Sequence, residues 1–209
     1  MDIDSSIWDQ SYHLGNTMPQ IWYYHFQILF TSALTLKKNA LEGDYFIRNS
    51  NISDFKPGTP EHNEGWKREN GRPAAMLLAY SIENLLKGIY AKKLFSMDNE
   101  KSKNDLISNL PQDMRGHWMN KFIRDKLEIE LSENENVTLL ALSHASRWFG
   151  RYATAINLEE YKQFSNINGY SIIHKIIFTD FGDEFPFGQE VDGILDKLEP
   201  MIRDKNYFN

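Results

Sequence analysis

The chain contains no cysteine, which excludes disulfide bonds, thiolate metal sites and a cysteine nucleophile. No run approaches the ~20 apolar residues of a membrane span, and the acidic start MDIDSSIWDQ has no apolar signal core. Basic residues are in the minority, 23 against 29 acidic ones, for a net charge of −6. Nucleic acid would therefore need a local basic patch. We expect a cytoplasmic protein without a membrane span.

Common catalytic motifs are missing as well. There is no phosphate-binding Gly-Lys-Ser/Thr loop, no Gly-rich turn between a strand and a helix, no nucleophile elbow and no His-Glu-x-x-His sequence. The six histidines are dispersed along the chain and form no local metal motif. We therefore expect neither a cofactor nor a metal ion.

What the sequence does have is helical periodicity, which is clearest in the segment 73–93. Apolar residues recur there every three or four positions, as on one face of a helix; they are Leu78, Ile82, Leu85 and Ile89. A polar stripe lies beside them and consists of Tyr80, Glu83, Asn84 and Lys87. The segment predicts a buried helix with one polar face.

Four further segments have helical patterns: 19–41, 113–128, 132–152 and 190–205. The third of them opens with a capping box formed by Ser132 and Glu135. We predict a single all-α domain, an antiparallel bundle of four main helices plus a C-terminal helix. Three segments show no clear period: an N-terminal arm at 1–18, an irregular insertion at 42–72 after the first helix, and an irregular segment at 164–188.

The pattern also predicts which helix faces point inward. In the first helix the predicted apolar side begins with Ile21, Tyr24, Ile28 and Leu29 and continues with Ala33, Leu36 and Ala40. In the helix 132–152 it consists of Val137, Leu140, Ala141 and Trp148. We expect these rows to pack against the central helix 73–93.

Three short segments carry a resemblance to a known family: AYSIENLLKG at 79–88, Gly-His-Trp at 116–118 and LLALSHASRWFGRYAT at 139–154. Over roughly residues 20–163 the chain resembles the HEPN superfamily (higher eukaryotes and prokaryotes nucleotide-binding), in particular a bacterial branch of it. Ala153 stands where that branch usually has a proline. The resemblance implies a helical bundle that pairs as a homodimer, binds RNA or a nucleotide phosphate, and acts in stress responses or phage defence.

In the ribonucleases of that superfamily, a late helix carries an arginine and then a histidine, with four to six residues between them. No arginine of this chain has a histidine at that spacing. His144, Arg147 and Arg151 nevertheless fall on one face of the helix 132–152. A histidine beside two permanent cations could transfer a proton at a phosphate. The alternative is that both arginines pair with acids elsewhere.

A candidate binding set lies on the central helix and near the start of the predicted helix 113–128: Glu83, Asn84, Lys87 and His117. Glu83 and Lys87 are four residues apart, in the order that favours a helical ion pair. Glu83 could instead bind Arg147 or Arg151. His117 either bonds a backbone group or joins the same site.

Three functions stay open. The first is a HEPN-like protein that binds RNA or a nucleotide phosphate. The second is a divergent metal-independent endoribonuclease that uses His144 with Arg147 or Arg151. The third is a non-catalytic dimeric interaction module. A homodimer would bring two copies of the three late-helix residues toward one cleft and make a local anion site.

Overall fold

The computed structural model describes residues 18–50, 56–96, 116–149 and 157–204, and of residues 148 and 149 only the backbone. Every regular element in these ranges is helical, which confirms the predicted all-α class. The helices are α1 (Pro19–Asn49), α2 (Pro60–Trp66), α3 (Gly71–Ser96), α4 (Met119–Phe122), α5 (Glu133–His144), α6 (Leu158–Asn166), α7 (Gly169–Phe178) and α8 (Gln189–Arg203). A 3₁₀ turn, Lys67–Asn70, joins α2 to α3, and α4 and α5 continue into π-helical turns, Ile123–Leu127 and Ala145–Phe149.

Helix α3 lies at the centre of the molecule and contacts α1, α4, α5, α7 and α8. Its predicted apolar row is completely buried, as expected; it consists of Leu78, Ile82, Leu85 and Ile89. Gly88 allows a close approach on the same helix, because a Cβ atom there would lie only 2.7 Å from the Ile202 side chain and 2.8 Å from Trp22. None of the helices in the described ranges combines the length and the apolar character that a membrane span requires.

The prediction of an irregular insertion at 42–72 is wrong for most of that range. Helix α1 runs on to Asn49, past its predicted end near Leu41, and α2 begins behind Thr59, whose hydroxyl accepts from the His62 amide. Gly43 is needed for contact with the segment before α3, since a Cβ atom at this position would lie 2.3 Å from the Arg68 backbone nitrogen. The glycine therefore serves close packing in a continuous helix and does not end it. Residues 51–55 lie outside the described ranges.

The predicted inward face of α1 is wrong in its first half and right in its second. Tyr24 and Ile28 are 60% and 43% exposed, whereas Ala33 and Ala40 are fully buried as predicted. The complete buried row consists of Phe26, Ala33, Lys37, Ala40, Gly43 and Asp44. Two of these residues are charged, and a pattern based on hydrophobicity places such residues at the surface. Lys37 bonds the carbonyls of Ile176 and Pro186, and Asp44 pairs with Arg68 beyond α1 as well as with Arg48 in the same helix. The pattern of α1 alone does not reveal the partners from other segments.

The segment 164–188 is only partly irregular. Helix α6 extends to Asn166, and α7 occupies Gly169–Phe178 with Ile173, Ile176 and Ile177 buried. Asn168 adopts a left-handed conformation, with φ of 54°, and separates the two helices. The predicted irregular structure is confined to the residues between α7 and α8. The local pattern was ambiguous because short buried helices and strands have the same apolar runs.

The capping signals in the second half of the chain are confirmed. The Ser132 amide donates to Glu135 Oε2 at 2.6 Å, and the Ser132 hydroxyl accepts from the Glu135 amide at 3.3 Å. The side chain of Asn157 caps α6 by accepting a hydrogen bond from the Glu160 amide. The buried face of α5 is rotated from the predicted one: Leu139, Ala141 and Leu142 are buried, whereas Val137 and Leu140 are only partly buried.

The other predictions compare as follows. The C-terminal helix is Gln189–Arg203, close to the predicted 190–205. Helix α4 begins at Met119, and the predicted start of that helix at residue 113 lies outside the described ranges. The same holds for nearly all of the predicted arm at 1–18, for Arg151 and Ala153, and for the side chain of Trp148.

Candidate functional site

Glu83 is the centre of a polar cluster on α3. Its side chain is only 9% exposed, and both carboxylate oxygens are engaged. Oε1 accepts from Lys87, one helical turn further on, and Oε2 lies 2.8 Å from Nδ1 of His117. The ion pair expected from the spacing of four residues is therefore present. His117 reaches Glu83 from the segment that leads into α4, and its side chain is 38% exposed.

The charge of Glu83 decides how His117 is held. Burial raises the pKa of the Glu83 carboxyl, but the hydrogen bond from His117 and the charge of Lys87 outweigh it, so that this pKa lies below its ordinary value. An ionised carboxylate can only accept hydrogen bonds. Nδ1 of His117 must therefore be the donor, and Nε2 is the proton acceptor of the neutral ring.

Tyr80 and Asn84 are polar neighbours of Glu83 and His117, and each makes a hydrogen bond of its own. The Tyr80 hydroxyl donates to the Ser146 carbonyl at 3.0 Å, and its ring lies 6.4 Å from that of His117. Asn84 donates to the carbonyl of Tyr80 within its own helix at 2.7 Å. Of the four predicted binding residues, the structure thus brings together Glu83, Lys87 and His117, whereas Asn84 bonds its own helix.

An open cavity of about 360 Å³ lies around α4 and the residues that flank it. Its described lining consists of Gly116, Trp118, Lys121, Phe122, Asp125 and Lys126. A second, narrower space shares Gly116, Trp118 and Phe122 with it and is lined by Glu83 and Lys87. The only carboxylate in the described lining of the larger cavity, Asp125, pairs with Arg124 at 2.8 Å. Two lysines and two aromatic rings therefore border a space of the size that small ligands occupy.

His144 lies in the core, with no exposed surface. Its ring makes edge contacts with Trp118 at 5.1 Å and Phe164 at 5.4 Å between centroids. Burial, together with the charge of Arg147, lowers the pKa of His144 from 6.5 to about 4. His144 is therefore neutral at physiological pH and out of reach of solvent.

Arg147 pairs with the carboxylate of Glu160, whose backbone amide donates to the Asn157 side chain that caps α6. Its guanidinium lies 4.5 Å above the ring of Trp118. Arg147 thus joins α5 to α6 instead of binding Glu83, and Arg151 lies outside the described residues. Trp118 connects the two groups of polar residues, since the same ring contacts Arg147 and His144 and lines the cavity.

Sequence reasoning missed several residues of this site: it assigns no role to Lys121, Lys126 or Glu160. The Gly-His-Trp segment at 116–118 is the signal that points to this region. Just before α3 the sequence has another basic and aromatic group, Trp66, Lys67, Arg68 and Arg72, and this group is less suitable as a phosphate site. Lys67 pairs with Glu64 at 2.7 Å, and Arg68 pairs with the buried Asp44 at 2.9 Å.

Among the described residues, no group of histidines and carboxylates is arranged to hold a metal ion. Comparison with models of known protein families, with curated proteins and with solved structures finds no match to this chain. The proposals below therefore depend on the geometry of the site and on the resemblance stated above.

Proposed function

We propose that this chain is a HEPN-like cytoplasmic protein that binds RNA or a nucleotide phosphate at the cavity around α4. The resemblance implies the finer features of the proposal, an antiparallel bundle of four main helices and a role in stress responses or phage defence. The observation that carries the proposal is that Lys121 and Lys126 line one cavity together with Trp118 and Phe122.

The chemistry of this cavity suits a single-stranded nucleic acid. Lysine ammonium groups attract phosphate, and aromatic rings offer stacking surfaces to bases of any sequence. Lys87 contributes little net charge because Glu83 neutralises it. In the described lining of the cavity, the positively charged side chains are Lys121 and Lys126. Two neighbouring cations of this kind can attract an anion locally even when the whole chain is acidic.

The first test measures binding of a labelled single-stranded oligoribonucleotide by fluorescence anisotropy over a range of salt concentrations. Each lysine that neutralises a phosphate contributes about 0.7 to the slope of log affinity against log salt on single strands. We expect the double variant Lys121→Ala, Lys126→Ala to lower the affinity and to reduce this slope by about 1.4.

Lys38→Ala is the matched control, because Lys38 is an exposed lysine on α1. It should leave both affinity and slope unchanged. Equal affinities of the wild type and the double variant would refute the proposed site, and a wild type that does not bind RNA would refute the proposed ligand.

A ribonuclease that uses His144 with Arg147 or Arg151 would need His144 to reach its substrate. The ring is enclosed by Trp118 and Phe164 instead. We therefore favour binding as the function and assign His144 a packing role.

A specific observation favours the dimeric interaction module as a second candidate. Leu158, Tyr161 and Tyr170 on α6 and α7 are 67%, 47% and 47% exposed. Tyrosine is enriched in the cores of protein interfaces. These three residues, the α6–α7 patch, support the proposal of a homodimer, with or without RNA.

A further inference from the structure

We infer that a small cavity between α2 and the last turns of α1 binds a methylated ammonium group, a compact cation whose charge is spread over its methyl substituents. The described lining of this cavity consists of Ile47, His62, Gly65, Trp66 and Glu69, and its volume is about 170 Å³. The inference goes beyond the proposed function and does not depend on it, because it concerns other residues and a ligand of opposite charge.

The first argument is the way in which Trp66 is held at the surface. The residue is 59% exposed, yet its indole N–H donates to Nε2 of His62 at 2.8 Å. The only polar atom of the indole is therefore satisfied within the protein. What Trp66 offers to a ligand is its aromatic ring, and the hydrogen bond to His62 fixes the direction of that ring.

His62 adds a second ring to the same cavity. Since Nε2 accepts from Trp66, the imidazole is neutral and carries its hydrogen on Nδ1. The two ring centroids lie 5.6 Å apart and the ring planes meet at 70°, so that the rings form a corner. Tryptophan attracts cations more strongly than the other aromatic side chains do, and a neutral imidazole beside it adds no repelling charge.

The charges around the cavity also favour a cation. Glu69 contributes a carboxylate to the described lining, which contains no lysine or arginine. The nearest cations in the sequence are held by other acids, since Lys67 pairs with Glu64 at 2.7 Å and Arg68 pairs with Asp44 at 2.9 Å. A phosphate would therefore meet a carboxylate here, whereas a cation would meet a carboxylate and an aromatic ring.

Size and polarity select the kind of cation. The volume of about 170 Å³ lies below the ~300 Å³ of typical ligand pockets, so the cavity suits a head group and not a whole nucleotide. An unmodified ammonium group needs acceptors for its three N–H donors. Methyl groups need none, and they can pack against Ile47 and the two rings. Such a group occurs in free molecules such as choline and in the methylated lysines of peptides.

Isothermal titration calorimetry of the full chain with tetramethylammonium and with choline tests the site. We expect both to bind with a dissociation constant of about 1 mM or lower. The neutral analogue of choline, in which carbon replaces the nitrogen, has the same shape without the charge and should bind at least about 5-fold more weakly.

A peptide that carries trimethyllysine distinguishes the two sources of the ligand. If it binds at least about 10-fold more tightly than tetramethylammonium, the natural ligand is a modified protein segment, because contacts beyond the head group then contribute. If the affinities are equal, the ligand is a small molecule. The same peptide with unmodified lysine is the control and should bind more weakly than the methylated one.

Two variants test the residues of the cavity. Trp66→Leu should weaken tetramethylammonium binding by about 5-fold or more, and Trp66→Phe should retain part of the affinity. Glu69→Gln keeps the size of the side chain and removes its charge, which should weaken binding by about 3-fold. The matched controls are Tyr24→Leu, since Tyr24 is 60% exposed on α1, and Glu130→Gln at another exposed position. Both should bind like the wild type.

Several outcomes would overturn the inference. Equal affinities of the wild type for choline and its neutral analogue would do so, and so would unchanged binding in Trp66→Leu. Binding of guanidinium but not of tetramethylammonium would contradict the assigned class of ligand. Should Trp66→Leu fail to fold, Glu69→Gln and the neutral analogue still decide the question. None of these results affects RNA binding at Lys121 and Lys126, which is tested separately.

Discussion

His144 and His117 show at the residue scale how surroundings determine what a histidine can do. The sequence alone does not distinguish their surroundings, and the spacing of three residues to Arg147 made His144 the predicted proton-transfer group. In the structure Trp118 and Phe164 enclose His144, whereas Glu83 orients His117. The pair Glu83–Lys87 was predictable, because four residues separate its members on one helix. The contact between Glu83 and His117 spans 34 residues, and no local pattern predicts it.

The lowered pKa of His144 makes a prediction about stability and pH. In the folded protein this pKa is about 4, and in the unfolded chain it is near 6.5. Between these values the unfolded state binds a proton that the folded state does not bind. The contribution of His144 to stability is therefore complete above pH 6.5 and is lost as the pH falls toward 4.

We expect the free energy of unfolding of the wild type to fall relative to His144→Gln by up to about 3 kcal/mol between pH 7 and pH 4. Urea unfolding of both proteins at several pH values measures this difference. Comparing the two cancels the titration of the carboxylates they share. A difference between the wild type and His144→Gln that stays constant from pH 7 to pH 4 would contradict the lowered pKa of His144.

At the scale of elements, periodicity predicted where most helices lie but not always which face is buried. Helix α1 is the clearest case, because its buried row includes Lys37. The ammonium group donates to the carbonyl of Ile176 in α7 at 2.7 Å and to that of Pro186 at 2.6 Å. The rings of Phe181 and Phe187 lie 5.1 and 5.3 Å from it. Burial lowers the pKa of Lys37 to about 8, although nearby aspartates raise it.

Lys37 therefore connects α1 to the end of α7 and to the segment before α8, and its loss should destabilise the fold. Lys37→Met keeps the apolar stem but leaves two carbonyls without their donor, and each unsatisfied buried group costs about 1–3 kcal/mol. We expect the free energy of unfolding to drop by about 2–4 kcal/mol at pH 7. Lys38→Met, at the exposed neighbouring position, should change it by less than about 0.5 kcal/mol. Equal stability of the two variants would contradict the role of Lys37.

At the scale of the whole molecule, helical periodicity predicted the class of the fold, whereas the site depends on tertiary contacts. The all-α class follows from repeated helical periods and confirmed caps, such as Ser132 with Glu135. The larger cavity is lined by α4 and its flanking residues, the narrower one adds Glu83 and Lys87 of α3, and Arg147 in the turn after α5 contacts Trp118, which lines both. A net charge of −6 describes the chain as a whole, whereas Lys121 and Lys126 are the cations in the described lining of the larger cavity.

The same scale includes association of two copies, which we predict to involve the α6–α7 patch. Its apolar side chains are exposed to water in the single chain, and a symmetric contact would bury the same patch on both copies. We expect sedimentation at micromolar concentration to show a dimer, and the double variant Tyr161→Ser, Tyr170→Ser to sediment as a monomer. Tyr45→Ser is the control, since Tyr45 is 73% exposed on α1. A wild-type monomer would refute the dimer, and a dimer that persists in the double variant would place its interface elsewhere.

Loss of RNA binding in the monomeric variant would connect the two proposals, whereas a wild-type dimer that binds no RNA would favour the interaction module.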